Sequence, residues 1–250
     1  PFRTTQELEN AAGRPIMATL PKLEEMGDST ILDVIKNDPF GPYSEGIRQL
    51  RTSLEVLSKG GRSVMLTSAL QNEGKSTTIL ALAQMVSMAN KDVIVVDFDA
   101  RGPSIRKQLG IRLDSDLSDL INRKSDLDEV IHRSDDIDFD ILGFDERDIQ
   151  AVDDLSDSWL RPMIKELQED YDMVLIDAPA LLPAADAMIL AQVVDSRIMV
   201  VGGDSTHRSA VEQCLSRLKK AQIPLDGVVM TKISGERAKY EYGAGYHEYT

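Results

Sequence analysis

Five apolar runs constrain this chain more than any other feature: SVMLTS (63–68), DVIVVDFD (92–99), DMVLIDAP (172–179), SRIMVVGG (196–203) and GVVMTKI (227–233). They are strand-length and rich in Val, Ile and Met. They show no in-out alternation, which is the pattern of strands covered on both faces. Amphipathic stretches of helix length, at 75–89, 153–169 and 207–222, lie between them. Strands alternating with helices make parallel βαβ units. The reading is therefore an α/β fold, a doubly wound and mostly parallel sheet with helices on both faces. Ahead of this core, residues 40–61 read as one more helix. Pro42 suits its first turn, Gly60 or Gly61 its end, and Ile47, Leu50, Leu54 and Leu57 form an apolar stripe. Residues 1–39 read as a linker with one short helix near 5–11, and 234–250 as a flexible, tyrosine-rich tail.

Charge narrows the function. With 42 acidic and 28 basic residues the net charge is −14, which argues against a nucleic-acid partner, since phosphate backbones need a basic footprint. Residues 111–160 hold 16 of the acids against 5 bases and read as a solvated acidic flank. No apolar run reaches the length of a membrane-spanning helix. The single Cys214 cannot form an internal disulfide, which suits a reducing compartment. His132, His207 and His247 are too widely spaced for a metal-site pattern, and Cys214 and Trp159 read as packing residues.

Between the first strand and the helix after it lies SALQNEGKST (68–77), the position of a phosphate-binding loop. A helix starting at Lys75 points free N–H groups at an anion, and its dipole adds about half a positive charge. Lys75 would neutralise β- and γ-phosphates and the Ser76 hydroxyl would join a Mg²⁺ shell. Gln71, Asn72, Glu73, Gly74 and Thr77 complete the candidate nucleotide contacts. Ala69 stands where the general motif has its first glycine. Two other strands end in carboxylates, Asp97 with Asp99 in VVDFDARGP and Asp177 in VLIDAP. Ligands of open parallel sheets bind at the carboxyl ends of strands, so all three acids belong beside the loop. There they could coordinate Mg²⁺ or accept a hydroxyl proton.

Together these stretches resemble the bacterial tyrosine kinases, the cytoplasmic kinase domains of polysaccharide co-polymerases, from about residue 40 to the end. The loop resembles the family's S-x-x-P-G-E-G-K-S/T, in which the first glycine is commonly absent. VVDFDARGP resembles its second Walker motif, D-x-D-x-R-x-P, and VLIDAP its Walker B strand; the tail carries a tyrosine cluster. The resemblance implies a P-loop kinase domain over 40–233, of the superfamily that includes partitioning and cell-division ATPases, and Mg·ATP as cofactor. It implies catalytic roles for Lys75, Asp97, Asp99, Asp177 and Arg101, with Ser76, Asp97 and Asp177 at the metal. Tyr240, Tyr242, Tyr246 and Tyr249 match the phosphate acceptors. Glu45, Arg48 and Arg51 match E-x-x-R-x-x-R, through which family members form rings such as octamers. The implied partners are further copies of the chain, the polysaccharide polymerisation and export machinery, and a cognate tyrosine phosphatase. The implied setting is the cytoplasmic face of the bacterial inner membrane, reached through upstream membrane segments that residues 1–39 would follow.

Three departures stand out. Gln71-Asn72 replaces Pro-Gly, though Asn tolerates left-handed backbone and lets the loop close. The family's Pro-rich stretch before Walker B is replaced by GFDERDIQAVDDLSDSW. Thr231 stands where related ATPases often read adenine with Asn, and one hydroxyl cannot make the same two-point contact. Two other readings stay open: a nucleotide-binding scaffold without phosphoryl transfer, and a partitioning or cell-division type of ATPase. Leu70, where the latter usually carry an extra Lys, and the tyrosine-rich tail speak against the second.

Overall fold

Seven strands, all parallel, form one sheet in the order β1-β7-β6-β2-β5-β3-β4. The computed structural model describes residues 1–23, 29–57, 61–145 and 156–234. The strands are β1 (Ile16–Pro21), β2 (Ser63–Ser68), β3 (Val93–Asp97), β4 (Asp140–Leu142), β5 (Met173–Asp177), β6 (Ser196–Gly202) and β7 (Gly227–Ile233). Before β2 come helices α1 (Thr5–Ala12), α2 (Ile31–Asn37) and α3 (Pro42–Leu57). After it come α4 (Lys75–Ser87), α5 (Ile105–Leu109), α6 (Leu117–Ile121) and α7 (Leu127–Val130). The last three are α8 (Asp157–Asp170), α9 (Asp186–Val193) and α10 (Arg208–Lys220).

The unalternating strands have a direct use. Val64, Leu66, Val95, Leu175, Ile198 and Val200 point to one face, where they meet Ile35 of α2, Leu50 and Leu54 of α3, and Ile79 and Leu82 of α4. Met65, Ile94, Val96, Ile176, Met199 and Val201 point to the other, against Leu160 and Leu167 of α8, Leu190 of α9 and Val211 of α10. Each such side chain, when fully buried, contributes about 1.5–3 kcal/mol, so a one-residue slip in any central strand would be prohibitive. The five sequence-read strands sit at their expected places, and β2 lies between β5 and β6, where the order of connections reverses.

Residues 1–39 correct the linker expectation. Thr4 caps α1 by accepting from Glu7 N, Gly13 ends it with φ 61, and Thr30 and Asp33 form a capping box on α2. Between them β1 pairs in parallel with β7, and Phe2, Leu8, Leu20 and Ile35 are fully buried. This segment is the outer wall of the sheet. It escaped the sequence because β1 is an edge strand containing Pro21, and edge strands carry weak patterns. The three-residue β4 was missed as well.

Candidate functional site

Strand β2 feeds the loop 69–74, and α4 starts at Lys75 without any side-chain cap. The first-turn N–H groups are therefore left for a ligand. Two residues carry the turn's left-handed backbone, Asn72 (φ 62) and Gly74 (φ 93). Asn in place of Gly thus does close the loop, as its side chain allows.

What holds the loop comes largely from outside it. Glu73, only 3% exposed, accepts from Leu70 N (2.7 Å), from Gly202 N (3.3 Å) and from the Thr206 hydroxyl. The Thr231 hydroxyl donates to the Glu73 carbonyl (2.5 Å), and the Lys232 ammonium donates to the Asn72 carbonyl. Thr231 is therefore a buried brace beneath the loop. Glu73 likewise lines the cavity while its carboxylate ties the loop to the end of β6 and the turn that follows it.

Behind Lys75 and Ser76 lies Asp177, fully buried at the end of β5. The Ser76 hydroxyl donates to its Oδ2 (2.5 Å), and the Ser104 hydroxyl donates to Ser76 Oγ (2.6 Å). Lys75 Nζ lies 3.2 Å from Asp177 Oδ1 as an ion pair without hydrogen-bond alignment, so that buried oxygen has no hydrogen-bond partner. Burial would lower the Lys75 ammonium, but Asp177, Asp99 and Asp97 outweigh it and hold it above its ordinary value.

The two acids after β3 differ. Asp97 is buried and its oxygens accept the backbone N–H groups of Asp99 (3.0 Å), Ser104 (2.9 Å) and Ile105 (3.1 Å). Burial, then the charge of Asp177, pushes its carboxyl up to about 7. Asp97 therefore shapes the loop 98–104 around itself, and does not face the cavity. Asp99 does, with its carboxyl raised by burial and by Asp177 against the pull of Lys75. The cavity of about 320 Å³ is lined by residues 71–77, Asp99, Gly102, Ser104, Gln108, Ala180 and Lys232. Arg101 points elsewhere, donating to both oxygens of the buried Asp186 on α9 (2.8 and 3.0 Å).

Among the described residues no group of three or more His, Cys, Asp or Glu could hold a metal ion by itself. Mg²⁺ does not require one, since it keeps several waters and uses one or two protein oxygens together with substrate phosphates. The all-oxygen set of Ser76 and Asp177 fits that habit.

Sequence reasoning missed Ser104, Gln108 and Lys232 in the cavity and Asp186 and Thr206 behind it. None lies in a spaced motif, although Ser104 directly follows ARGP and Lys232 follows Thr231. On α3, Glu45, Arg48 and Arg51 find partners within the chain. Arg48 pairs with Glu45, donates to Pro39 O (2.7 Å) and lies over the Phe40 ring, while Arg51 lies 3.9 Å from Glu55. Tyr240, Tyr242, Tyr246 and Tyr249 fall outside the described residues. Tyr43 and Tyr171 are buried, the latter donating to Asp140 (2.5 Å).

A model of the AAA domain family matches residues 69–226. The tyrosine-protein kinase YwqD of Bacillus subtilis is 29% identical over 84% of this chain and 90% of its own length. The tyrosine-protein kinase wzc of Salmonella typhi is 27% identical over 94% of this chain, which spans about a third (33%) of that relative. The kinase domain of the Escherichia coli tyrosine kinase ETK superposes with a TM-score of 0.84 at 22% identity, covering 98% of this chain and all (100%) of that one.

Proposed function

The chain belongs to the AAA domain family, and on that premise we propose that it is an Mg·ATP-dependent protein-tyrosine autokinase. One observation carries the reading: Lys75 and Ser76 line a cavity at the uncapped start of α4, and both meet the buried Asp177 behind it. That is the equipment for holding a polyphosphate and its metal. Its relatives are named bacterial tyrosine-protein kinases, which selects tyrosine over other acceptors.

Each residue has a task. The loop N–H groups bind phosphate oxygens, Lys75 offsets their charge, and Ser76 and Asp177 would hold Mg²⁺, which would supply further charge neutralisation. Asp99, raised and facing the cavity, accepts the tyrosine hydroxyl proton. The tyrosine oxygen then bonds the γ-phosphorus as the bond to ADP breaks. Asp97 positions this loop, and Arg101 anchors it to α9 through Asp186. The acceptors are Tyr240, Tyr242, Tyr246 and Tyr249, because Tyr43 and Tyr171 are packed inside the fold. Transfer runs between subunits of a ring contacting through α3, where Glu45, Arg48 and Arg51 trade partners within the chain for partners across the interface. The assembly sits at the cytoplasmic face of the inner membrane with the polysaccharide export machinery, and a tyrosine phosphatase reverses it. Asn72 takes the left-handed conformation the loop needs, so the change at 71–72 lends the scaffold reading no support.

Incubation with Mg·ATP followed by intact mass and peptide mapping tests this. Several phosphates confined to 240–249 are expected, and phosphate found only on Tyr43 or Tyr171 would refute it. Light scattering should show a smaller particle when Glu45, Arg48 and Arg51 are all replaced by Ala.

A further inference from the structure

Two residues other than glycine hold left-handed backbone at the rim of the cavity, and they touch. Asn72 (φ 62) presents its carbonyl oxygen, and the ammonium of Lys232 (φ 57) donates to it. Left-handed backbone is unfavourable for lysine, whose Cβ crowds the following carbonyl. Such strain persists where the surroundings enforce it, most often at functional sites. The residue before Lys232, Thr231, is fixed beneath the loop by its bond to the Glu73 carbonyl (2.5 Å).

The charge of the cavity gives the strained lysine a use. Among the described residues lining it, Lys75 and Lys232 are the two basic side chains. Lys75 is already paired with Asp177 at 3.2 Å, and Asp97 and Asp99 stand nearby. A nucleoside triphosphate would bring several more negative charges into this acidic setting, and Lys75 is largely committed. Lys232 is held by a neutral carbonyl, so it can meet an anion without giving up an ion pair.

We infer that Lys232 is a second polyphosphate-binding cation of this site, its ammonium aimed by the Asn72 carbonyl at the phosphates of the nucleotide. The inference rests on the nucleotide-binding reading above. The test is calorimetric titration of the purified chain with Mg·ATP and with AMP, alongside thermal melting. Lys232→Met should weaken Mg·ATP roughly tenfold and AMP much less, while Lys232→Arg should stay within about threefold of the parent. Lys232→Gly relieves the strained backbone and removes the charge. It should melt no lower than the parent and still bind Mg·ATP as weakly as the Met variant. A parent chain that binds no nucleotide would overturn the underlying reading. A parent that binds Mg·ATP, with Lys232→Met binding equally well, would overturn this inference alone. So would affinity losses that follow falling melting temperature in the Met and Gly variants together.

Discussion

The two ends of the sheet use aspartate in opposite ways. At the amino ends of the strands Asp195 accepts from Arg62 N, Ser63 N, the Ser63 hydroxyl and the Gln168 amide. Asp172 accepts from Asp92 N there, and Asp226 from the backbone and guanidinium of Arg197. Burial works to raise the Asp195 carboxyl, yet its donors outweigh that and hold it below the usual range. At the carboxyl ends Asp97, Asp99 and Asp177 crowd one another, and burial with mutual repulsion holds the first two above it. One end spends its carboxylates on closing the fold, while the other keeps them in tension around a cavity. That tension is what added cations, Mg²⁺ above all, would relieve.

The two ends differ most in what happens when Lys75 is lost. Lys75→Met should lower phosphoryl transfer at least a thousandfold, about 4 kcal/mol, because no neighbouring base replaces its charge; phosphotyrosine yield checks this. Next comes pH. Asp97 titrates near 7 in the fold and near the ordinary carboxyl value when unfolded, so between about pH 4 and 7 the folded state holds a proton that the unfolded chain has lost. Stability of the nucleotide-free protein should therefore fall as pH rises through that window, by up to about 4 kcal/mol from this group. Asp195, depressed in the fold, acts with the opposite sign, and its stabilisation is lost as pH falls below about 4. Urea unfolding across pH should show Asp97→Asn flattening the first limb and Asp195→Asn the second.

Asp195→Ala at neutral pH should cost about 3 kcal/mol, since it strands the Ser63 and Arg62 donors, and should leave Mg·ATP affinity unchanged. The smallest change belongs to Asp99→Asn. Phosphoryl transfer should drop about thirtyfold, or roughly 2 kcal/mol, with stability equal to the parent or slightly higher because a repelling charge is gone. A stability loss there as large as at Asp195 would erase the distinction between the two ends.

The sheet was legible wherever strands are buried on both faces, because Val96, Leu175 and Val200 leave no alternative to an interior. It was illegible at its rims. IMATLP covers one face of an edge and reads as nothing, and DIL is too short to carry any period. At the site the loop, Asp177 and the placing of Asp97 and Asp99 at one sheet end could be read from spacing. The division of labour between those two acids could not, since it depends on which backbone N–H groups fold back onto Asp97. Nor could spacing give the inward turn of the Glu73 carboxylate and the Thr231 hydroxyl. Position in a motif says that a residue lies near the ligand, and only packing says which way its side chain turns.

The pairing of β1 with β7 sets the order in which this molecule can be finished. Ile16 emerges from a ribosome long before its partner Val228, and the loop emerges long before Gly202, Thr206, Thr231 and Lys232, which brace it. Contacts between such distant segments close last, after the local βαβ units have formed. During synthesis the loop of residues 69–74 is therefore made first and shaped last, and a chain stopped short of β7 would carry the sequence of a nucleotide site without its geometry.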